Sequence, residues 1–317
     1  MGTRPVGEYM AATTDAMSPP KNPRKDRAAA VPISRLAAGG SFPIVGIGAS
    51  AGGLEALEQF FKNVPPASGL AFVIVQHLDP THVGIMPELL QRMTPLAVVQ
   101  VKDRTKARPN CVYVIPPNKD MSVLRGVLHL LEPASPRGLR LPIDFFFRSL
   151  AADQGERSVG VILSGMGSDG TLGLRAIKEH AGIGLVQEPA SARFDGMPSS
   201  AINAGLADIV APAEALPVKL LAFLKYAPLF APCALPAGDA EGSGLEKVII
   251  LLRNQTGHDF SLYKSNTLYR RIERRMGLHQ IEKIGNYVRC LRENPQELNL
   301  LRLIFSNLEA RRWGYPP

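Results

Sequence analysis

Cysteine is scarce in this sequence of 317 residues, and Cys111, Cys233 and Cys290 are the three that occur. They lie far apart and are odd in number, which excludes a disulfide framework. No C-x-x-C pair indicates a structural zinc site either. This cysteine usage is typical of a protein kept in a reducing cytoplasm.

Long apolar runs are also missing. No stretch approaches the roughly 20 apolar residues of a membrane-spanning helix, and the N-terminus lacks the apolar segment of a signal peptide. We therefore expect a cytoplasmic chain without direct membrane insertion. Basic residues exceed acidic ones, giving a formal net charge of +8 and a pI near 9.5. A positive balance favours acidic partners but carries no information on the fold.

Composition and periodicity divide the chain into five segments. Residues 1–40 have no hydrophobic period and predict a disordered leader. In residues 41–225, apolar strands alternate with amphipathic helices, which predicts an α/β fold with a doubly wound, mainly parallel sheet and helices on both faces. Residues 226–244, rich in Pro, Ala and Gly, predict a linker. Residues 245–308 predict a small all-helical domain, and residues 309–317 form a tail.

The first predicted strand, residues 43–47, runs into a glycine-rich turn that carries Ser50. A helical pattern follows at once, so residues 48–52 fit the G-x-S-x-G turn of serine hydrolases in its required context. The same letters also fit the dinucleotide fingerprint G-x-G-x-x-A at residues 46–51. A glycine turn without any chemistry is a third interpretation.

Two further side chains follow the ends of predicted parallel strands. His77 comes after the strand at 70–76, and Asp169 comes after the strand at 158–164. The carboxyl ends of parallel strands share one edge of a sheet, so Ser50, His77 and Asp169 are expected to converge there. His77 would take the Ser50 proton, and Asp169 would hold the imidazole. Each alone could instead be structural: His77 as a strand-end histidine, Asp169 as a turn former.

Two competing interpretations concern the residues around His77. A dinucleotide site requires Asp or Glu at the end of the second strand, where the chain has Gln76 and His77, with Asp79 only later in a turn. A metal site at His77 and His82 lacks a nearby third ligand.

Five ordered motifs resemble the catalytic domain of the bacterial chemotaxis protein-glutamate methylesterases (CheB). They are GIGASAGG at 46–53, VQHL at 75–78, YVIPPN at 113–118, GMGSDG at 165–170, and QEP at 187–189 followed by FDGMP at 194–198. The resemblance implies hydrolysis of γ-glutamyl methyl esters on chemoreceptors, and some members deamidate receptor glutamines. By motif, Ser50 matches the nucleophile, His77 the base and Asp169 the triad acid. The backbone N–H of Met166 matches a proposed oxyanion donor.

The helical segment resembles the N-terminal domain of the chemotaxis receptor methyltransferases (CheR). The matching letters are LLRNQTGHDF at 251–260, YKSNTL at 263–268, RRIERRM at 270–276 and YVRCLRENP at 287–295. In that family a basic helix faces the acidic methylation helices of the receptor. The matching positions are Arg270, Arg271, Arg274 and Arg275, although a solvated face with local ion pairs is an alternative.

The resemblance implies methylated chemoreceptor cytoplasmic helices as partners and implies no nucleic acid, cofactor or metal. Two departures from the families shape the remaining expectations. The usual receiver domain does not precede the esterase motifs, so regulation by phosphorylation within this chain is not expected. The methyltransferase likeness fades after residue 304, so methyl transfer is not expected, and truncation or frame disruption of a fusion would explain the ending. The competing function is a non-catalytic receptor-binding scaffold.

Overall fold

The computed structural model describes residues 42–76, 85–133, 140–226, 239–257 and 259–312. All of them belong to one compact unit, residues 33–317. Several features named above lie outside the described residues. They are the leader predicted at residues 1–40, His77, Asp79, His82, Cys233 and the tail beyond residue 312.

A seven-stranded sheet forms the centre of the unit. Its strands in spatial order are β10 (Ile209–Ala211), β9 (Ile183–Gln187), β8 (Val159–Ile162), β1 (Ile44–Ala49), β2 (Ala71–Gln76), β5 (Cys111–Val114) and β3 (Ala97–Gln100). Every neighbouring pair is parallel. The strand order turns in both directions from β1, as in a doubly wound sheet, and confirms the predicted fold class.

Helices cover both faces of this sheet because its central strands are apolar on both sides. On one face lie α1 (Gly53–Phe61), α2 (Ile85–Met93) and α6 (Leu216–Tyr226), whose apolar side chains pack with Val45, Ile47 and Phe72. On the other face lie α3 (Pro142–Gln154), α4 (Thr171–Glu179) and α5 (Gly196–Asn203), which pack with Ile44, Val73 and Ile162.

A smaller antiparallel sheet stands beside α3. It contains β4 (Thr105–Lys106), β7 (Val127–Leu131) and β6 (Asp120–Leu124) in that order. Arg125 and Gly126 form the β6–β7 turn with φ values of 52° and 71°, and the Gly126 N–H donates to Asp153 Oδ2 at 3.1 Å. A turn with φ > 0 at both positions suits the twist of a hairpin. These two residues therefore form the turn of the β6–β7 hairpin.

Four helices form the C-terminal part: α7 (Asp239–Thr256), α8 (Ser265–Leu278), α9 (Ile284–Glu293) and α10 (Pro295–Arg312). Phe260, Tyr287 and Phe305 are fully buried in their common core. We call α7–α10 the helical part and the remainder the sheet part. Helix α7 begins at Asp239, so the C-terminal end of the segment predicted as a linker is helical.

Candidate active site

Ser50 follows β1 at the carboxyl edge of the sheet and begins the turn into α1. Its N–H donates to the Ser164 carbonyl at 3.0 Å, and its own carbonyl accepts from the Gly53 N–H at 2.9 Å. Gly52 adopts φ 69°, and a Cβ there would lie 2.8 Å from Ser164 Oγ and 2.9 Å from Arg193 Cβ. Only glycine combines this backbone angle with this lack of space. The glycine therefore fixes the bend that places the half-buried serine at the edge.

The loop after β8 is pressed against Ser50. Ser164 anchors it, since its hydroxyl donates to the Ala51 carbonyl at 2.9 Å and accepts from the Phe194 N–H at 3.0 Å. A Cβ on Gly165 would lie 3.0 Å from Ser50 Cβ and 2.1 Å from Met197 Sδ. The missing side chain thus lets the backbone of residues 165–166 approach the serine. The role of the Met166 N–H as an oxyanion donor stays a prediction.

Asp169 is buried at the far end of the same loop, where two helices begin. Its Oδ2 accepts from the Ile143 N–H at 3.1 Å, and its Oδ1 accepts from the N–H groups of Asp144 at 2.9 Å and Gly170 at 2.8 Å. These donors belong to the first turn of α3 and to the N-cap of α4, which carry partial positive charge. The carboxylate therefore caps α3 from another segment and is held in one orientation.

Asp144, which the sequence analysis did not single out, reciprocates this capping. Its Oδ1 accepts from the Gly173 N–H in the first turn of α4 at 2.6 Å. Burial raises the pKa of Asp144, and the nearby Asp169 carboxylate raises it further. Burial likewise raises the pKa of Asp120, and the negative charge of Asp169 contributes in the same direction. The only sequence signal for Asp144 is an acid just inside the first turn of a helix after Pro142.

The ends of β1 and β2 lie side by side. Ala49 pairs with Gln76 in parallel register, and Gln76 Nε2 donates to the Ser50 carbonyl at 3.4 Å. Neighbouring strands are about 4.8 Å apart. His77 lies outside the described residues, so its role as base stays a prediction. At the end of β2, the position where a dinucleotide site needs an acid holds Gln76, whose amide is bonded to the serine turn.

Basic residues of α8 meet the sheet part rather than forming an open face. Arg274 donates to the Glu156 carbonyl and lies over the Phe223 ring at 5.6 Å, while Arg275 is buried in an ion pair with Asp208. Burial lowers the pKa of Arg274 to about 10. The side chains of Arg274 and Arg275 are thus used within the chain, and a receptor contact by these two residues stays a prediction.

The other two arginines of this helix also approach the sheet part, at its surface. Arg270 Nη2 lies 3.2 Å from Glu156 Oε2, and Arg271 Nη2 lies 3.7 Å from Glu156 Oε1. Arg270 keeps 43% of its side-chain surface exposed, whereas Arg271 keeps 11%. A receptor contact by these two arginines stays a prediction.

Arg275 belongs to a buried charge network that joins the two parts of the chain. On the sheet side, Asp208 also pairs with the fully buried Lys178. On the helical side, Arg275 Nε donates to Glu297 Oε1 at 2.9 Å, and the Tyr287 hydroxyl donates to the same oxygen at 2.7 Å. Burial alone would lower the pKa of Arg275, but Asp208 and Glu297 outweigh it and raise the pKa. Burial lowers the pKa of Lys178 to about 8.

This network lies at the edge of the sheet opposite to Ser50. Asp208 precedes β10, Glu156 precedes β8, and Lys178 lies in the last turn of α4, which runs antiparallel to the strands. A strand of five residues spans about 16 Å. In the described residues, this network therefore attaches the helical part at the edge away from Ser50.

Within the described ranges, no helix is long and apolar enough to cross a bilayer. In the same residues, no three His, Cys, Asp or Glu side chains are grouped so that they could hold a metal ion.

Comparison with known proteins gives two family matches. The family model described as CheB methylesterase matches residues 45–220, and that described as CheR methyltransferase, all-alpha domain, matches residues 243–302. The crystal structure of the Thermotoga maritima CheB methylesterase catalytic domain is similar at a TM-score of 0.54 and 30% identity, covering 57% of this chain and 98% of that one.

Curated relatives carry matching names. The chain is 36% identical over 189 residues to a Moorella thermoacetica protein-glutamate methylesterase/protein-glutamine glutaminase, covering 57% of this chain and 44% of that protein. It is 35% identical over 238 residues to an uncharacterized 104.1 kDa protein of Rhodobacter capsulatus, covering 68% of this chain and 25% of that protein. The chain thus spans less than two thirds of the length of these relatives.

Proposed function

Because the chain belongs to the CheB methylesterase family, we propose that it is a cytoplasmic protein-glutamate methylesterase acting on chemoreceptor-like proteins. It would hydrolyse glutamate γ-methyl esters to glutamate and methanol as part of chemotaxis-type signal transduction. The observation that supports this most is the meeting of two loops at one sheet edge. A Cβ on Gly165 would touch Ser50 Cβ, and the same loop carries Asp169, fixed by three N–H groups.

The proposed reaction proceeds through an acyl-enzyme. Ser50 Oγ attacks the ester carbonyl while His77 removes its proton, and the Met166 N–H donates to the oxyanion. The C–O bond to the methoxy group breaks, and His77 returns the proton, so methanol leaves. Water then attacks the acyl carbonyl while His77 takes its proton. The C–O bond to Ser50 Oγ breaks, His77 returns the proton to that oxygen, and glutamate leaves. Asp169 holds the His77 imidazole and stabilises its cation. Glutamine would release ammonia by the same route.

Helix N-termini support the part assigned to Asp169. The carboxyl group accepts three N–H bonds, which leaves its orientation fixed before any substrate binds. A carboxyl group held in one orientation is what the triad needs to position the imidazole. No cofactor or metal takes part in this scheme, and methyl transfer is not proposed.

Methanol release from methylated receptor membranes tests this function. Wild type is expected to release methanol, whereas Ser50→Ala is expected to lower kcat by about four orders of magnitude or more. Lys219→Ala, at an exposed position of α6, serves as a control for general effects of substitution. Equal slow release by wild type and Ser50→Ala, together with retained receptor binding, would favour a non-catalytic scaffold instead.

A further inference from the structure

The chain that leaves β9 lies against the loop that leaves β8. Residues 187–198, which we call the β9 segment, include the QEP and FDGMP letters but none of the proposed triad or oxyanion residues. Residues 164–167, which we call the β8 loop, carry Met166. The motif letters of the β9 segment therefore need a role other than nucleophile, base, acid or oxyanion donor.

Gln187, the last residue of β9, fixes Ser164 at the start of the β8 loop. The Gln187 side chain is fully buried, and its Oε1 accepts from the Ser164 N–H at 2.9 Å while its Nε2 donates to the Ser191 carbonyl at 3.0 Å. An amide has one accepting end and one donating end, so these two bonds fix its orientation. On the other side, the Ser164 carbonyl accepts from the Ser50 N–H at 3.0 Å. Ser164 is therefore held between the β9 segment and the serine turn.

Two further bonds from the β9 segment hold Gly165. Its N–H donates to the Phe194 carbonyl at 3.0 Å, and its carbonyl accepts from the Met197 N–H at 2.9 Å. This carbonyl and the Met166 N–H belong to one planar trans peptide group, in which the C=O and N–H bonds point in opposite directions. Fixing the Gly165 carbonyl therefore also fixes the direction of the Met166 N–H.

The close approach of the two segments requires glycine at position 196. A Cβ on Gly196 would lie 2.9 Å from the Gly167 backbone N and 3.3 Å from the Gly165 carbonyl oxygen. Backbone atoms in a packed site cannot turn aside as a side chain can, so one of the two segments would have to move. The glycine of FDGMP therefore lets the Met197 N–H reach the Gly165 carbonyl.

We propose that Gln187, Ser164 and Gly196 are positioning residues for the oxyanion donor. Through them the β9 segment holds Gly165, and with it the Met166 N–H, in one place relative to Ser50 before the oxyanion forms. A donor that is already oriented needs no reorganisation when negative charge develops on the substrate oxygen. This inference rests on the proposed esterase function and gives the β9 segment its part in that reaction.

The experiment uses the full chain and three variants that act at different contacts. They are Gln187→Leu, Ser164→Ala and Gly196→Ala. Ser158→Ala is the matched control for Ser164→Ala, since this serine is also fully buried and its hydroxyl bonds to a backbone carbonyl, but it precedes β8 at the opposite edge. Gly285→Ala is the matched control for Gly196→Ala, because its Cβ would meet nothing within 4 Å.

Methanol release from methylated receptor membranes gives kcat and KM, and two inhibitors separate oxyanion stabilisation from ordinary binding. Both are N-acetyl amides of a glutamate analogue. In one the ester is replaced by a trifluoromethyl ketone, to whose carbonyl Ser50 Oγ can add, so that an oxyanion forms. In the other it is replaced by the corresponding alcohol, which forms no oxyanion. The Ki of the ketone therefore follows stabilisation of the tetrahedral state, and the Ki of the alcohol does not.

The three variants should lower kcat about 10–100-fold and raise the Ki of the ketone by a similar factor, because a displaced donor loses stabilisation in the tetrahedral state. KM and the Ki of the alcohol should stay near the wild-type values, since binding of the ground state does not use this donor. The two controls should keep the wild-type kcat and both Ki values.

Urea unfolding without substrate identifies the variants that fold, and any folded one of the three tests the proposal. Folded variants with the wild-type kcat and ketone Ki would show that the β9 segment does not position the donor. Equal rises in the Ki of ketone and alcohol would also overturn the proposal, since they indicate a loss of ordinary binding. If wild type releases methanol no faster than Ser50→Ala, the proposed esterase function fails instead.

Discussion

Arg275 of α8 and Asp208 of the sheet part form a buried ion pair that joins the two parts of the chain. Each residue also has a partner of opposite charge on its own side, Glu297 for Arg275 and Lys178 for Asp208. Two locally neutral pairs therefore face each other at the contact. This pairing lets charged groups be buried there without leaving one charge uncompensated.

Replacing Arg275 with methionine should destabilise the protein strongly. The change leaves Glu297 buried without its guanidinium partner, and breaking a buried pair in this way costs about 3–5 kcal/mol. Urea unfolding would measure the loss. Arg289→Met, at an exposed position of α9, is the matched control and should change stability by no more than about 0.5 kcal/mol. Equal stability of Arg275→Met and the control would contradict the role of this pair.

Acid should weaken the same contact. Burial alone would raise the pKa values of Glu297 and Asp208, but Arg275 outweighs it and lowers both. The unfolded chain then binds more protons, so this stabilisation is complete above the ordinary glutamate pKa of 4.5 and is lost as pH falls below it. Urea midpoints measured from about pH 7 to about pH 3 would show the loss.

Glu297→Gln should reduce the loss of stability at low pH, since it removes one of the groups that titrates. Glu293→Gln, at an exposed position at the end of α9, should lose as much stability at low pH as the wild type does. If the Glu297→Gln protein loses as much stability at low pH as the wild type, the Glu297 carboxylate does not govern this loss.

The sheet part was readable from sequence because its strands are continuous apolar runs and its helices are amphipathic. The β1–Ser50–α1 turn and the hairpin at Arg125 and Gly126 carry local signals, glycines and small residues at fixed positions. The fold class and the serine turn were predicted on that basis.

The network could not be predicted in the same way. Lys178, Asp208 and Glu297 are charged residues that the sequence marks as exposed, and their burial follows from contacts between segments far apart in the chain. The basic run on α8 likewise predicts an acidic partner, but not that part of this partner is the chain's own sheet part. A charge pattern indicates the sign of the charge on a partner, but it does not identify the partner.

Alanine at Gly173 should destabilise the protein although it favours the helix itself. Its Cβ would lie 2.6 Å from Phe147 Cβ and 2.9 Å from the Asp144 backbone, so α3 and α4 must separate. Overpacking of this kind costs about 1–3 kcal/mol. Gly285→Ala in α9 meets nothing within 4 Å and should raise stability by up to about 1 kcal/mol. Thermal or urea unfolding of both variants would test the opposite signs, and a stabilised Gly173→Ala would refute the close contact.

The two proposed triad residues described by the structure should differ in their effect on folding. Asp169→Ala removes an acceptor shared by three N–H groups in the first turns of α3 and α4, and these donors are left unpaired in a buried place. Unpaired buried groups cost about 1–3 kcal/mol each, so the loss should reach at least that range. Ser50→Ala removes one hydroxyl at a half-buried position and should cost no more than about 1 kcal/mol.

Urea unfolding of both variants without substrate measures this difference, and methanol release measures activity in parallel. Both variants should lose most of the activity, so activity alone does not separate them. Asp169→Asn should regain part of the stability, because its amide oxygen can still accept from Asp144 and Gly170, while the activity stays low since the amide cannot stabilise an imidazolium. If Asp169→Ala unfolds at the same urea concentration as Ser50→Ala, the carboxylate does not cap the two helices.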